Sequence, residues 1–380
     1  GNMVSSSAST CPVCESANIK ESIAVNDMPV YCNVLFDNQD DAIGVSRGNI
    51  HLAYCTDCGH VFNRAFDESL MDYTAEYENS LHFSPKFNTY AQELAQRLID
   101  TYDVHGKDIV EIGCGKGDFL KMLCDKGGNQ GQGFDRSFDP SRGSDAVPEN
   151  ITFHQDFFDE NYSHLDPDLI CCRHVLEHIH DPQAFLKNLR KIIGNRKPVV
   201  YFEVPNALFT LKDLGIWDLI YEHCGYFTPS SLEKVFRSSG FEVLDIGESF
   251  GGQFLYIEAR PAESNTDTSD DNDNSQLQEL LSYVNDFEAK YNATVGKWSD
   301  VLDELSQSNS TAVVWGGGSK GVTFLNVLKP GNNIKFVIDV NPHKRGKFVA
   351  GTGQQVKEPS FLKKHQPKKV VIMNSIYKDE

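Results

Sequence analysis

The 380-residue chain lacks any long apolar run, and its first residues are serine-rich rather than hydrophobic. A membrane-crossing helix needs about 20 consecutive apolar residues, and a secretory leader needs an apolar stretch behind a basic start. Neither pattern occurs, so the sequence predicts a cytoplasmic protein with no membrane partner. Positive charge is also scarce: 35 Lys and Arg stand against 54 Asp and Glu, a formal net charge of −19. Neutralising a phosphate backbone requires a basic patch of some size. Nucleic acid is therefore excluded as the expected partner, and a small-molecule substrate is favoured. Hydrophobic residues make up 40% of the chain, enough at this length for two or three domains with real cores.

Cysteine, by contrast, is plentiful, and the ten cysteines fall into two kinds. Cys11-Pro12-Val13-Cys14 and Cys55-Thr56-Asp57-Cys58 are C-x-x-C knuckles, each able to set two thiolates on one tetrahedral ion. Together Cys11, Cys14, Cys55 and Cys58 predict one zinc site. It is expected to be structural, because four thiolates leave no open position for chemistry. A redox pair is the weaker alternative. Residues 30–32 and 50–54 read as strands between the knuckles, giving a zinc-binding domain over residues 1–70. The other six cysteines read as reduced thiols.

The strongest signal is Asp108-Ile109-Val110-Glu111-Ile112-Gly113-Cys114-Gly115-Lys116-Gly117-Asp118, an apolar strand running into three glycines spaced by two. Glycines let the backbone turn and lie against a ligand, and the helix that follows offers its free N–H groups. The dinucleotide fingerprint wants its third glycine at position 118, which is Asp118. G-x-G-x-G after an acidic strand end suits S-adenosylmethionine instead. Asp135 ends the next strand, where a ribose diol needs an acceptor. Asp156 and Phe157 end a third, offering an acid and an aromatic face for adenine.

A fourth apolar strand, residues 168–172, opens into Arg173-His174-Val175-Leu176-Glu177-His178. Here the chain resembles the class I S-adenosylmethionine-dependent methyltransferases, whose fourth strand commonly ends in an H-V-L-E-H run. The resemblance implies a seven-stranded α/β sheet and a cofactor site that includes Glu111, Gly113, Gly115, Gly117, Asp135, Asp156, Phe157 and His174. Residues 71–262 would form this core. Helices are expected over 83–102, 182–193 and 230–239, with strands over 198–203, 241–247 and 253–259.

Residues 261–275 are polar and acidic and read as a linker. Residues 276–380 carry a helical pattern over 277–305 and a strand over 311–315, followed by Gly316, Gly318 and Gly321 in G-x-G-x-x-G spacing. Asp339 closes a later strand. This is a Rossmann-like α/β unit, either nucleotide-binding or a degenerate copy that binds nothing. Gly346, Gly351 and Gly353, interleaved with Lys344, Arg345 and Lys347, suit a phosphate-contacting loop or a solvated turn.

The order of zinc knuckles, core and glycine-rich unit resembles the three-domain C-methyltransferases of deoxysugar biosynthesis. The sharpest match is Tyr221-Glu222-His223-Cys224-Gly225-Tyr226-Phe227-Thr228, similar to that family's E-H-x-x-Y-(F/Y)-(S/T) segment; Trp315 to Gly321 and Asp339 to Lys344 look like its C-terminal signatures. The resemblance implies His223 as a base, Glu222 as its carboxylate neighbour, a tyrosine near Tyr73 or Tyr77 as a donor to the substrate oxygen, and a nucleotide-linked sugar as substrate. A histidine beside a carboxylate suits removal of a proton next to a ketone. O- or N-methyl transfer on a natural-product intermediate remains the alternative for the same core.

Overall fold

The computed structural model describes residues 8–71, 84–139, 147–263 and 274–374. In the N-terminal unit, β1 (Ile19–Pro29) runs antiparallel to β2 (Arg47–Cys55), with the short helix α1 (Gln39–Ile43) between them, and β2 pairs with β3 (Val61–Asn63). The strand expected at residues 30–32 does not form. Val30 and Cys32 are fully buried, but β1 ends at Pro29 and the Cys32 N–H goes to the Glu222 carboxylate rather than to a ladder.

The core opens with α2 (Pro85–Tyr102), which has Ser84 as N-cap and Pro85 in its first turn, the usual start of a helix. Phe87, Ala91, Leu94, Ala95 and Leu98 form its buried stripe. There follow β4 (Asp108–Ile112), α3 (Asp118–Gly127), β5 (Gln130–Phe134), β6 (Ile151–His154), β7 (Leu169–Arg173), α4 (Pro182–Ile193), β8 (Val199–Pro205) and the short α5 (Ala207–Leu211). After β9 (Gly225–Tyr226) come α6 (Pro229–Ser238), β10 (Phe241–Ser249) and β11 (Phe254–Pro261). The seven-stranded sheet has the order β10-β11-β8-β7-β4-β5-β6, in which β11 alone runs antiparallel to the other strands. Its central strands are buried along nearly their whole length, as expected where helices cover both faces. The order reverses between β4 and β7, and ligands of open α/β sheets bind at that point.

β9 leaves the core and pairs with β3, so the N-terminal sheet is β1-β2-β3-β9. The residues just after Glu222 and His223 are thus anchored to the knuckle-bearing unit. The long helix α7 (Asn274–Gln307) leads into β12 (Ala312–Trp315), α8 (Ser319–Leu328), β13 (Ile334–Ile338), β14 (Gln355–Lys357) and β15 (Lys369–Ile372), a parallel sheet ordered β14-β13-β12-β15. One apolar cluster joins Ile50 and Leu52 of β2, Val284 and Phe287 of α7, and Val314 and Val337 of the C-terminal sheet.

The glycine loop after β13 is not a free turn: its stretch from Lys347 to Gly353 forms a joint between units. Gly351 accepts from Arg47 (3.2 Å), Gly353 accepts from Gln39 (3.2 Å), Phe348 bridges to Phe36, and Lys347 pairs with Asp37 at 2.9 Å. Both glycines have positive φ, and a Cβ on Gly351 would lie 2.0 Å from Asn326 Oδ1.

The start of β4 is held by Asn129, which is wholly buried: its amide donates to the carbonyls of Val104 (3.0 Å) and Leu123 (2.9 Å), and its oxygen accepts the Lys107 N–H at 2.8 Å. Asn129→Ala removes the side-chain partner of all three backbone groups, leaving the Val104 carbonyl and Lys107 N–H without it, and should cost roughly 2–4 kcal/mol of stability. Chemical denaturation with unchanged m-value checks this.

Candidate active site and zinc site

The loop between β4 and α3 closes tightly on itself. Gly113, Gly115 and Gly117 have φ of 69°, 56° and 86°, and a Cβ would sit 2.3 Å from Val175 at Gly113 and 2.3 Å from Phe153 at Gly117. Asp135, just past β5, accepts the Gly115 N–H at 2.8 Å with one oxygen and the N–H and hydroxyl of Ser137 (2.8 and 2.6 Å) with the other. A carboxylate has about four acceptor positions, so Asp135 shapes the loop and keeps capacity for a diol. Glu111 is 3% exposed and its Oε1 has no hydrogen-bond partner among the described residues. Burial raises its carboxyl to about 8; Arg173 opposes the shift, and Asp118 and Asp135 add to it. An orphaned buried acid beside such a loop fits the cationic end of S-adenosylmethionine. Asp156 accepts from the Tyr162 hydroxyl at 2.8 Å, and Phe157 is 63% exposed under the Arg136 guanidinium.

His174, expected at the cofactor, has its imidazole committed elsewhere. It lines a cavity of about 240 Å³ between the core and the C-terminal unit, together with Glu177, His178, His223 and the Gly316–Gly321 loop. His174 Nε2 lies 2.7 Å from Glu203 and Nδ1 3.7 Å from Glu177. Burial disfavours its charge, but these two carboxylates outweigh it and raise the imidazole to about 9. Its φ of 58° is unusual for a non-glycine residue. Glu203, fully buried, also accepts from Arg173, Tyr90 and Tyr201. Burial would raise its carboxyl, yet Arg173 and His174 hold it at about 2.

His223 is in the opposite state. Burial and the neighbouring His178 lower it to about 3, so it is neutral at working pH. Its Nδ1 has no partner among the described residues, and its Nε2 is 4.0 Å from Glu177. His178 Nδ1 is 2.8 Å from the Glu222 carbonyl, which directs its other nitrogen inward. The carboxylate facing His223 is therefore Glu177. The Glu222 side chain, expected in that role, is fully buried on the Cys32 N–H of the N-terminal unit. Tyr73 and Tyr77 lie outside the described residues. Glu177, His178 and His223 group their donor atoms within 4.8 Å, but the carboxylate already faces the His174 imidazolium, which opposes a divalent cation there.

Across the cavity, Asp339 repeats the device of Asp135: it accepts the N–H of Gly317 (2.7 Å) and of Asn341 (2.8 Å). Lys344 is buried with its Nζ 3.8 Å from Asp339, Asn341 Nδ2 is buried without a partner among the described residues, and Lys320 pairs with Asp218 of the core. Sequence reasoning missed the roles of Glu177 and Glu203. Glu177 stood in a run already singled out, and Glu203 is an acid inside the otherwise apolar β8, a pattern that marks a committed buried charge.

The four knuckle sulfurs lie within 4.8 Å of one another, with Cys11–Cys58 and Cys14–Cys55 each at 3.6 Å. A tetrahedral zinc thiolate site needs S···S of about 3.8 Å, so the cluster fits that ion. The knuckle backbone is tied to the core: the carbonyls of Cys58 and Gly59 accept from Ser230 (2.8 Å) and Thr228 (3.1 Å).

Residues 86–246 match a family model described as a methyltransferase domain, and residues 251–380 match one described as a C-methyltransferase C-terminal domain. The chain is an S-adenosylmethionine-dependent methyltransferase. More particularly, it is one that carries a C-methyltransferase C-terminal domain behind the cofactor-binding core. Its core is similar in fold to an S-adenosylmethionine-dependent methyltransferase of Mesorhizobium loti (18% identity, 46% of this chain and 99% of the other, TM-score 0.34). It is also similar to magnesium protoporphyrin IX methyltransferase of Synechocystis PCC 6803 (17%, 47% and 84%, TM-score 0.36). A third is 1,6-didemethyltoxoflavin-N1-methyltransferase of Burkholderia thailandensis (14%, 54% and 96%, TM-score 0.36). No curated protein matches the chain.

The purified protein is expected to carry one zinc per chain by elemental analysis. Chelation or Cys55→Ser should release it and lower Tm by on the order of 10 °C, because the ion closes the sheet that β9 completes.

Proposed function

We propose that this protein methylates a carbon next to a ketone, in a nucleotide-linked deoxysugar. The observation that carries the reading is a neutral, buried His223 beside the Glu177 carboxylate, in a cavity between the cofactor core and a second glycine loop. When bound, S-adenosylmethionine supplies a methyl group on a sulfonium, an electrophile that needs a carbanion in line with it. Glu111 takes the cofactor's ammonium, Asp135 its ribose, and Asp156 with Phe157 flank its adenine. His223 accepts the proton from the carbon, and Glu177 supports the imidazolium that results. His174, cationic between its two carboxylates, supplies positive charge to the cavity in which an enolate oxygen develops. The N-terminus of α8, the buried Lys344 and Asn341 Nδ2, which has no partner among the described residues, suit the substrate's diphosphate. The C-methyltransferase description of residues 251–380 favours carbon over a heteroatom as acceptor.

Below about pH 8 Glu111 holds a proton in the free protein, whereas a bound ammonium requires the carboxylate. Cofactor affinity should therefore rise about tenfold per pH unit below pH 8, with one proton released on binding, and stop rising above it, where the cofactor's own α-ammonium also loses its proton. Titration calorimetry in buffers of different ionisation enthalpy measures this, and Glu111→Gln should abolish the slope.

His223→Ala should leave cofactor affinity intact and slow the chemical step by about 10²–10⁴-fold. Solvent deuterium exchange at the carbon beside the substrate ketone, with S-adenosylhomocysteine bound, isolates that step. Undiminished exchange in the variant would move the base elsewhere. No exchange in the wild type with the true acceptor would favour O- or N-methyl transfer.

A further inference from the structure

The cavity beside His223 is small for what it must hold. Its volume is about 240 Å³, below the roughly 300–1,000 Å³ of pockets that enclose a small-molecule ligand. An acceptor has to share it with the methyl end of the cofactor. The side chains at its centre are nearly sealed, with His223 12% exposed and Glu177 2%. The walls must part to admit a substrate.

The packing shows where they part. The apolar cluster that holds the C-terminal unit draws on the N-terminal strands and on residues 207–226, with Trp217 edge-on to Phe324 at 5.0 Å. The core residues 84–205 and 227–262 contribute to separate clusters. The C-terminal unit therefore forms one body with the N-terminal strands, and the cavity lies between this body and the core. A seam without a shared apolar cluster is where a fold opens first. His223 stays with the core: His178 Nδ1 bonds the Glu222 carbonyl at 2.8 Å, and the Cys224 N–H donates to the Glu177 carbonyl at 2.9 Å.

A doubled polar contact crosses the seam. Gln253 Nε2 donates to Asn374 Oδ1 and Asn374 Nδ2 donates to Gln253 Oε1, both at 2.8 Å, and both residues line the cavity. Each is held from its own side. Gln253 ends the turn between β10 and β11, where Phe250, Gly251 and Gly252 have φ of 50°, 65° and 82°. Asn206 fixes that turn to the core, its amide donating to the Gly252 carbonyl and its N–H to the Gln253 carbonyl, both at 2.8 Å. Asn374 lies just past β15, and the Met373 N–H before it donates to the Trp315 carbonyl at 3.3 Å. One neutral hydrogen bond favours the paired state by about 2- to 10-fold over water, so two that break together favour closure by about 5- to 100-fold. Such a contact keeps the cavity shut most of the time and still opens readily.

We propose that the Gln253–Asn374 amide pair is the latch of an entry gate. The C-terminal unit swings off the β10–β11 turn to admit the acceptor, and the pair reforms to close the cavity and exclude water during the reaction. The latch serves turnover if this cavity is the acceptor site, as read above, but its opening is measurable without any acceptor.

The test is carbethoxylation of the full chain by diethyl pyrocarbonate, read by peptide mass spectrometry at His223, with His105, whose side chain is 56% exposed, as internal reference. In the wild type His223 should react at least about fivefold more slowly than His105. Asn374→Ala and Gln253→Ala should each speed His223 by at least about threefold and leave His105 unchanged. The double variant should add nothing to either, because each single change already removes both bonds. Wild-type His223 reacting as fast as His105 would overturn the proposal, and that arm stands even where a variant fails to fold. An unchanged His223 rate in both single variants, or additive effects in the double variant, would overturn it too in chains with native circular dichroism. Absence of methyl transfer to carbon, with these rates as expected, would instead refute the functional reading and leave the latch in place.

Discussion

The buried carboxylate of Glu203 anchors the chain of charged groups at the core wall of the cavity. A carboxylate without water is tolerated only when paired and hydrogen-bonded. Glu203 meets that demand with Arg173 and His174 from the end of β7 and just beyond it, Tyr90 from α2 and Tyr201 from its own strand. The consequences pass from group to group. Glu177 and Glu203 together keep His174 protonated, and His174 in turn holds Glu177 below its usual carboxylate range despite burial. His223, buried beside them, stays neutral. Two histidines a short distance apart thus hold opposite charge states, the arrangement by which environment separates acid from base roles in one site.

The second constraint is mechanical. The segment that carries Glu222 and His223 is not a free loop over the core, because β9 at its end is the fourth strand of the knuckle-bearing sheet. Glu222 itself closes on Cys32 of the same unit. Four thiolates brought together at the far side of that sheet, and the carbonyls of Cys58 and Gly59 bonded to α6 residues, make the N-terminal unit a brace for the catalytic segment. The C-terminal unit is fixed against the same brace through Phe348, Gly351 and Gly353. The second glycine loop therefore faces the cavity beside His223 from a unit that shares a common support with the core.

The elements most legible in the sequence were those with a strong local signature. Helical spacing from residue 83, with Pro85 near its start, placed α2, the pattern from Pro182 to Ile193 placed α4, and the three glycines after an apolar run placed the β4 turn. β9 escaped because two residues carry no period, and its pairing exists only once β3 lies beside it. Residues 30–32 were apolar enough for a strand, but their burial comes from a turn that Glu222 stabilises from far along the chain. Glu222 was expected as the partner of His223 from the resemblance of residues 221–228 to the E-H-x-x-Y segment. Glu222 lies in a turn closed by the His223 N–H on the Ile220 carbonyl, with its carboxylate on the Cys32 N–H, and Glu177 comes to His223 from another loop.

What the sequence determined by itself was the order of strands, helices and glycine turns, and the four cysteines able to share one ion. These depend on backbone geometry over a few residues, where sterics, capping and ligand spacing act locally. Only the tertiary structure decided which acid faces which base: Glu177 toward His223, Glu203 under His174 and Arg173, Asp339 on the second glycine loop. Those pairings join residues from different strands and loops, and their ionisation follows from burial and distance, which no local pattern encodes.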